Sequence, residues 1–166
     1  MRSWPTLMCT LVLLAAGVTG CDEQRATRLE EGVSTEADVR RQFGEPVQIT
    51  ERADGSKLLA YPRQPEGWTN YEMEIGADGK LATLRQLLTE ANFAKVQPGM
   101  GQAAVGKLLG RHARELRYAT QPGQVVWRWH VQRGQDKKVF DVTFGADGLV
   151  QSAHLGDDER QTQPGG

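Results

Sequence analysis

The feature that most constrains the fold is an internal repeat. Residues 32–44 run from a glycine through a valine to a closing Phe-Gly, and residues 99–110 run from a glycine through a valine to a closing Leu-Gly. Further along, residues 71–79 (YEMEIGADG) match residues 140–148 (FDVTFGADG). Both segments carry apolar residues at the same alternate positions, and both end in Gly-Ala-Asp-Gly. Because both matches occur in the same order, the sequence predicts two tandem copies of one module.

Each module is predicted to open with a pair of short helices. Thr89 is the candidate N-cap of a helix that continues to Val96, and Ser34 or Thr35 can cap the helix that ends before Gly44. Glycine at the end of a helix adopts the backbone conformation that terminates it. The two modules are assigned to residues 28–88 and 89–155.

Alternating apolar residues predict an antiparallel meander after the helices. Val125, Trp127, Trp129 and Val131 fall on one face of a strand, which we expect to be the packed face, and His130 falls on the opposite, wet face. Further strands are predicted at residues 71–75, 81–88, 140–144 and 149–154, with turns at Asp78-Gly79 and Asp147-Gly148. The predicted fold class is α+β, with two tandem modules that each have a short helix pair followed by an antiparallel β meander.

The first 20 residues are predicted to be a signal peptide. One basic residue precedes an apolar run over residues 7–18, which is shorter than the roughly 20 residues needed to span a bilayer. The run ends in Val18-Thr19-Gly20-Cys21, which resembles the lipobox of bacterial lipoproteins. That resemblance implies cleavage before Cys21 and lipidation of its sulfur, and the membrane is then bound through this anchor. Residues 21–27 are predicted to be a tether, and residues 156–166 a disordered tail.

Composition and motifs argue against several functional classes. The net charge is −1 and the charges are interspersed, so nothing predicts nucleic-acid binding. His112, His130 and His154 do not have metal-ligand spacing, and no nucleophile, phosphate or dinucleotide motif is found. We therefore expect no enzyme activity, no catalytic or metal-binding residues and no cofactor apart from the covalent lipid on Cys21.

The helix and strand pattern resembles a known family. Residues 93–100 (FAKVQPGM), followed by Val105 and Leu108-Leu109-Gly110 and then by the aromatic strand at residues 126–129, are similar to the SmpA/OmlA (BamE-like) outer-membrane lipoproteins. The first copy carries the corresponding residues in the same order. A tandem form of this module also resembles the fold of the β-lactamase inhibitor proteins. The first resemblance implies an outer-membrane lipoprotein that faces the periplasm. It also implies a protein partner, and the β-barrel assembly machinery is the candidate.

Two functional hypotheses follow from these features. The first is a membrane-anchored adaptor in outer-membrane protein assembly or envelope integrity, and the second is an inhibitor-like binder of a periplasmic hydrolase or peptidase. Trp68, in a loop after Pro65-Glu66-Gly67, is the candidate partner contact. Asp22 follows the anchor cysteine, and in enteric bacteria this residue favours retention in the inner membrane, which stays an alternative location.

Overall fold

The computed structural model describes residues 21–158, and the predicted signal peptide (1–20) and the end of the predicted tail (159–166) lie outside them. The first module holds helices α1 (Cys21–Ala26) and α2 (Glu36–Phe43) and strands β1 (Gln48–Glu51), β2 (Lys57–Pro62), β3 (Asn70–Ile75) and β4 (Leu81–Gln86). The second holds α3 (Glu90–Phe93), α4 (Gln102–Leu109), β5 (Arg114–Leu116), β6 (Val125–Arg133), β7 (Asp136–Phe144) and β8 (Val150–Asp157). No helix within 21–158 has the length and apolarity to cross a membrane.

The predicted fold class is confirmed. Each module forms a four-stranded antiparallel sheet with strands in sequence order, β1-β2-β3-β4 in the first and β5-β6-β7-β8 in the second. The predicted turns join β3 to β4 and β7 to β8, with Gly79 at φ 78° and Gly148 at φ 75°. The preceding aspartates accept hydrogen bonds from the backbone N–H two residues on, Asp78 from Lys80 and Asp147 from Leu149. Both turns therefore fold for the same local reason.

Capping fixes where the helices start. Of the two predicted caps, Thr35 is the one used: its hydroxyl accepts from the Asp38 N–H, and the Asp38 carboxylate accepts from the Thr35 N–H at 2.9 Å. This reciprocal arrangement satisfies two donors at the helix start. Thr89 caps α3 as predicted, but that helix ends at Phe93 rather than Val96 and continues as turns.

One aromatic residue in each core connects the sheet to the end of the packed helix through a hydrogen bond. The Tyr61 hydroxyl donates to the carbonyl of Gly44 at 3.2 Å, and Trp129 Nε1 donates to the carbonyl of Gly110 at 3.2 Å. Both rings are buried, with exposures of 1% and 0%. The remaining members of the first core are Val39, Phe43, Leu59, Tyr71, Met73, Ile75 and Leu81, and those of the second are Leu88, Phe93, Val96, Val105, Leu109, Val131, Phe140, Val142, Phe144 and Val150. The repeat thus preserves the connection between helix and sheet, not only the hydrophobic pattern.

Three local expectations differ from the structure. Residues 23–31 favour a helix that begins inside the predicted tether at 21–27, but the helix runs over Cys21–Ala26 instead, and the Asp22 carboxylate accepts from Arg63 Nε at 2.8 Å, which attaches this segment to the first module. The predicted tail at 156–166 begins too early, because β8 runs to Asp157 and pairs with β7 through Gly156 and Val139. Strands β1, β2 and β5 were not predicted, because they lack the long alternation of β6 and β7.

Candidate functional site

The two modules are joined through a loop of the first module that packs on the second. Residues 63–69, which we call the junction loop, connect β2 to β3 and cover the outer face of β6. Gln64 is 4% exposed; its Nε2 donates to the His130 carbonyl at 2.8 Å and its Oε1 accepts from the His130 N–H at 3.2 Å. The His130 ring Nδ1 lies 2.8 Å from the Pro65 carbonyl, and it must carry a proton there because a carbonyl only accepts.

The junction loop overturns the expectation for His130. This side chain was expected on a wet face, yet it is only 4% exposed because the first module covers it. Trp68, the predicted partner contact, lies at the same junction: its ring centroid is 5.3 Å from that of His130, and Lys137 Nζ lies 5.3 Å from the Trp68 centroid. Trp68 is half-buried, and its contact with an external partner stays a prediction.

Asn70 makes the second contact between the modules. It is 1% exposed, and its Nδ2 donates to the carbonyls of Leu109 at 2.7 Å and Arg111 at 2.8 Å. These carbonyls lie at and just after the end of α4, where a helix leaves carbonyl groups without internal partners. A residue of the first module therefore caps a helix of the second. Together with the junction loop, this contact fixes how the two modules sit against each other.

A groove opens between the two modules beside these contacts. It is lined on one side by the outer face of the first sheet and on the other by α4, the segment after it and Trp127. Its volume is about 460 Å³, and an adjoining basin of about 560 Å³ shares Leu58, Glu72, Leu87 and Lys107 with it. We call these two spaces together the inter-module groove. Such a volume is in the range of ligand-binding clefts.

The groove has an apolar floor and a basic lining. Leu58, Ala60 and Pro62 form the stripe of β2 that faces it, since alternate residues of a strand share a face. Five basic residues line the groove, Arg52, Arg85, Lys95, Lys107 and Arg111, against a single carboxylate, Glu72. Glu72 accepts from Arg85 at 2.8 Å, so its charge is already compensated.

Trp127 and His112 form the far wall of the groove. Their rings are stacked, with centroids 4.5 Å apart and an angle of 20° between the planes. Trp127 Nε1 also donates to the Glu115 carboxylate at 3.3 Å, which holds the indole in place. Burial lowers the pKa of His112, while the charge of Glu115 acts in the opposite direction. A neutral imidazole stacked on an indole presents a flat aromatic wall to the groove.

Within residues 21–158 no group of three His, Cys, Asp or Glu side chains is placed to hold a metal ion. The groove instead combines apolar contact area, cationic side chains and backbone groups of an edge strand. Sequence reasoning missed it because its walls come from different modules. One signal was available. In α4, Ala104, Gly106 and Leu108 line the groove, and they replace Asp38, Arg40 and Gln42 at the corresponding positions of α2, so the repeat departs from symmetry at groove-lining positions.

Comparisons with known proteins give only distant likenesses. No family model matches the sequence, and no curated protein matches it. Among solved structures, a DUF4309 family protein (YjgB) from Bacillus subtilis is 18% identical with a TM-score of 0.33, and the match covers 83% of this chain and 90% of that one. An extracellular protein containing an SCP domain from Bacillus anthracis is 13% identical with a TM-score of 0.30, over 82% of this chain and 46% of that one. The resemblance to the SmpA/OmlA family therefore stays a prediction.

Proposed function

We propose that the protein is a lipoprotein adaptor, anchored in the bacterial cell envelope through Cys21, that binds a partner protein with its inter-module groove. The observation that carries the proposal is the groove itself: an apolar, cation-lined cleft between two modules that are locked together by buried hydrogen bonds. A binding surface built on fixed elements loses little conformational entropy when a partner docks. The lipobox supports the anchoring half of the proposal.

The structure of the N-terminal segment is compatible with a short connection to the membrane. Cys21 begins α1, and α1 is connected to the first module through Asp22 and Arg63. Arg63 Nη2 also donates to the Phe43 carbonyl at 3.2 Å, and its guanidinium lies 5.6 Å from the Phe43 ring centroid. A lipid on Cys21 would then hold the body of the protein close to the headgroups, with the groove facing the periplasm.

Lipidation is tested by metabolic labelling with an alkyne analogue of palmitate, followed by membrane fractionation. We expect the wild-type chain to carry label and to sediment with the outer membrane, and a Cys21→Ala variant to lose both properties. Label on the Cys21→Ala variant would contradict the proposed anchor. An Asp22→Ser variant tests sorting, and an unchanged location would show that Asp22 does not direct it.

Partner identity is tested by affinity purification of a tagged chain from crosslinked cells. Recovery of barrel assembly subunits supports the adaptor function in outer-membrane assembly. Recovery of a periplasmic hydrolase or peptidase instead supports an inhibitor-like function, which the two-module layout motivates. A Lys107→Glu/Arg111→Glu variant tests whether the partner binds in the groove, because both side chains line the groove and are exposed. Equal recovery of the partner by this variant would argue against binding through the groove.

A further inference from the structure

We propose that the inter-module groove receives an extended acidic segment of a partner protein, with apolar side chains on the Leu58-Ala60-Pro62 floor and carboxylates at Lys107 and Arg111. The inference deepens the proposed function, since it names the chemistry of the partner for the same groove. It rests on three observations: the charge of the lining, the edge strand beside it and the shape of the floor.

Part of the positive charge of the groove has no acidic partner among the described residues. Lys107 and Arg111 make no side-chain hydrogen bond or ion pair inside the described part of the chain, whereas Arg85 and Arg52 are paired with Glu72 and Glu74. The chain as a whole carries a net charge of −1, so this local excess of positive charge is a property of the groove. Uncompensated cations at the rim of an apolar cleft favour a ligand with carboxylates.

An edge strand runs along the rim of the groove. β1 is the first strand of its sheet, it pairs only with β2 within residues 21–158, and all four of its residues are exposed. Gln48 and Thr50 of β1 also line the groove. The free backbone groups of an edge strand can pair with an extended chain, which then places alternate side chains on each face of the sheet. A segment added to β1 would direct every second side chain toward the groove.

The floor determines the pattern expected of that segment. Leu58 and Ala60 lie on neighbouring positions of one face of β2, and Val47 beside them is 67% exposed. Apolar side chains of the ligand can cover this surface while the flanking carboxylates reach the basic rim. The preferred ligand therefore alternates acidic and aliphatic residues. An anionic amphiphile such as a fatty acid would use the floor and the cations, but it has no need of the β1 backbone.

The test uses the full chain in nanodiscs of zwitterionic lipid, or in buffer if it does not insert. The probe is a short fluorescein-labelled peptide that alternates aspartate and valine, titrated by fluorescence anisotropy. We expect binding that weakens about tenfold in the Lys107→Glu/Arg111→Glu variant, since each pair is partly exposed and its sign is reversed. A matched double reversal at the exposed, unpaired Arg28 and Lys80 should change the affinity by less than about twofold, because neither side chain lines the groove and solvent and salt screen exposed charges outside it.

Three comparisons separate this inference from its alternatives. The same peptide with lysine in place of aspartate should not bind, and an aspartate peptide N-methylated at alternate residues should lose binding because it cannot pair with β1. Equal affinity of the peptide for wild type and for the Lys107→Glu/Arg111→Glu variant overturns the inference. The inference is also overturned if myristate displaces the peptide and the N-methylated peptide still binds. Lipidation is measured separately from peptide binding. A chain that incorporates the palmitate analogue but does not bind the peptide refutes this inference alone. A chain that binds the peptide but does not incorporate the palmitate analogue refutes only the proposed anchor.

Discussion

Replacing Gly110 with alanine should destabilise the protein more than the same change at Gly44, although both glycines end a helix in the same way. The backbone angles are φ 72°, ψ −163° at Gly110 and φ 80°, ψ −160° at Gly44, a region that is occupied almost only by glycine. Strain of this kind costs about 1–3 kcal/mol at either position. The surroundings differ: a Cβ at Gly44 would meet nothing within 4 Å, whereas one at Gly110 would lie 3.0 Å from Asn70 Nδ2 and 3.3 Å from Leu87 Cδ1.

At Gly110 the alanine substitution also destabilises the protein through crowding at the contact between the modules. A methyl group there must push Asn70 away from the two carbonyls that it caps, and overpacking of this kind adds about 1–3 kcal/mol. We therefore expect Gly110→Ala to lower the free energy of unfolding by at least about 1 kcal/mol more than Gly44→Ala. The measurement is urea unfolding of the full chain followed by tryptophan fluorescence, with linear extrapolation to water.

A double-mutant cycle with Asn70→Ala identifies the source of the difference. Asn70→Ala alone leaves the Leu109 and Arg111 carbonyls without their donor and should cost about 1–3 kcal/mol. In that background the extra cost of Gly110→Ala should shrink by about 1 kcal/mol, because the atom it crowds is gone. Equal costs at Gly44 and Gly110, or strict additivity of Gly110→Ala with Asn70→Ala, would refute the account of the module contact.

Three further predictions concern local features. Thr35→Ala removes the capping box of α2 and should lower the free energy of unfolding by about 1 kcal/mol in the same urea assay, while a serine at this position should retain most of it. The folded pKa of His112 lies below its unfolded value of about 6.5, so the unfolded chain binds more protons in acid. The free energy of unfolding should therefore fall as the pH drops below about 6.5. The fluorescence of Trp127 should be quenched as the stacked imidazole is protonated. His112→Gln should abolish this pH dependence. Burial raises the pKa of both Tyr61 and Tyr71 to about 12, so the stability they contribute is present below pH 10 and is lost as the pH rises toward 12. Ultraviolet difference spectroscopy of the folded chain should detect ionisation of Tyr61 and Tyr71 only as the pH approaches about 12, and ionisation of all tyrosines near pH 10 would contradict their burial.

The parts of the fold that depend on nearest neighbours along the chain could be predicted from the sequence. The alternation in β6 placed Trp129 in the core, where it is 0% exposed, and the aspartate–glycine pairs placed both turns. Thr89 was identified as a cap from its position before a helical segment. In each case the residue type and its spacing determine the structure within a few positions, so no knowledge of the other module was needed.

The parts that depend on contacts between modules could not be predicted. His130 has the spacing of a solvent-facing residue, and only the junction loop, 66 positions away at Gln64, buries it. The groove was likewise missed, because Leu58 on its floor and Lys107 on its rim belong to different copies. Strand β1 is short and fully exposed, so it carries no hydrophobic pattern to detect. Long-range packing decides these features, and local patterns in a single sequence do not reveal which segments meet.

The contact made by Asn70 is heterologous: a sheet residue of one copy caps the helix end of the next, and the two surfaces are different. A head-to-tail contact between identical units leaves an unused surface at each end of the array, so further units can add until a ring closes or a filament forms. Here the repeat match places Val139 where the first copy has Asn70, and Val139 is 5% exposed and has no amide to donate. The second copy therefore lacks the amide that would cap the helix of a further copy docked in the same way.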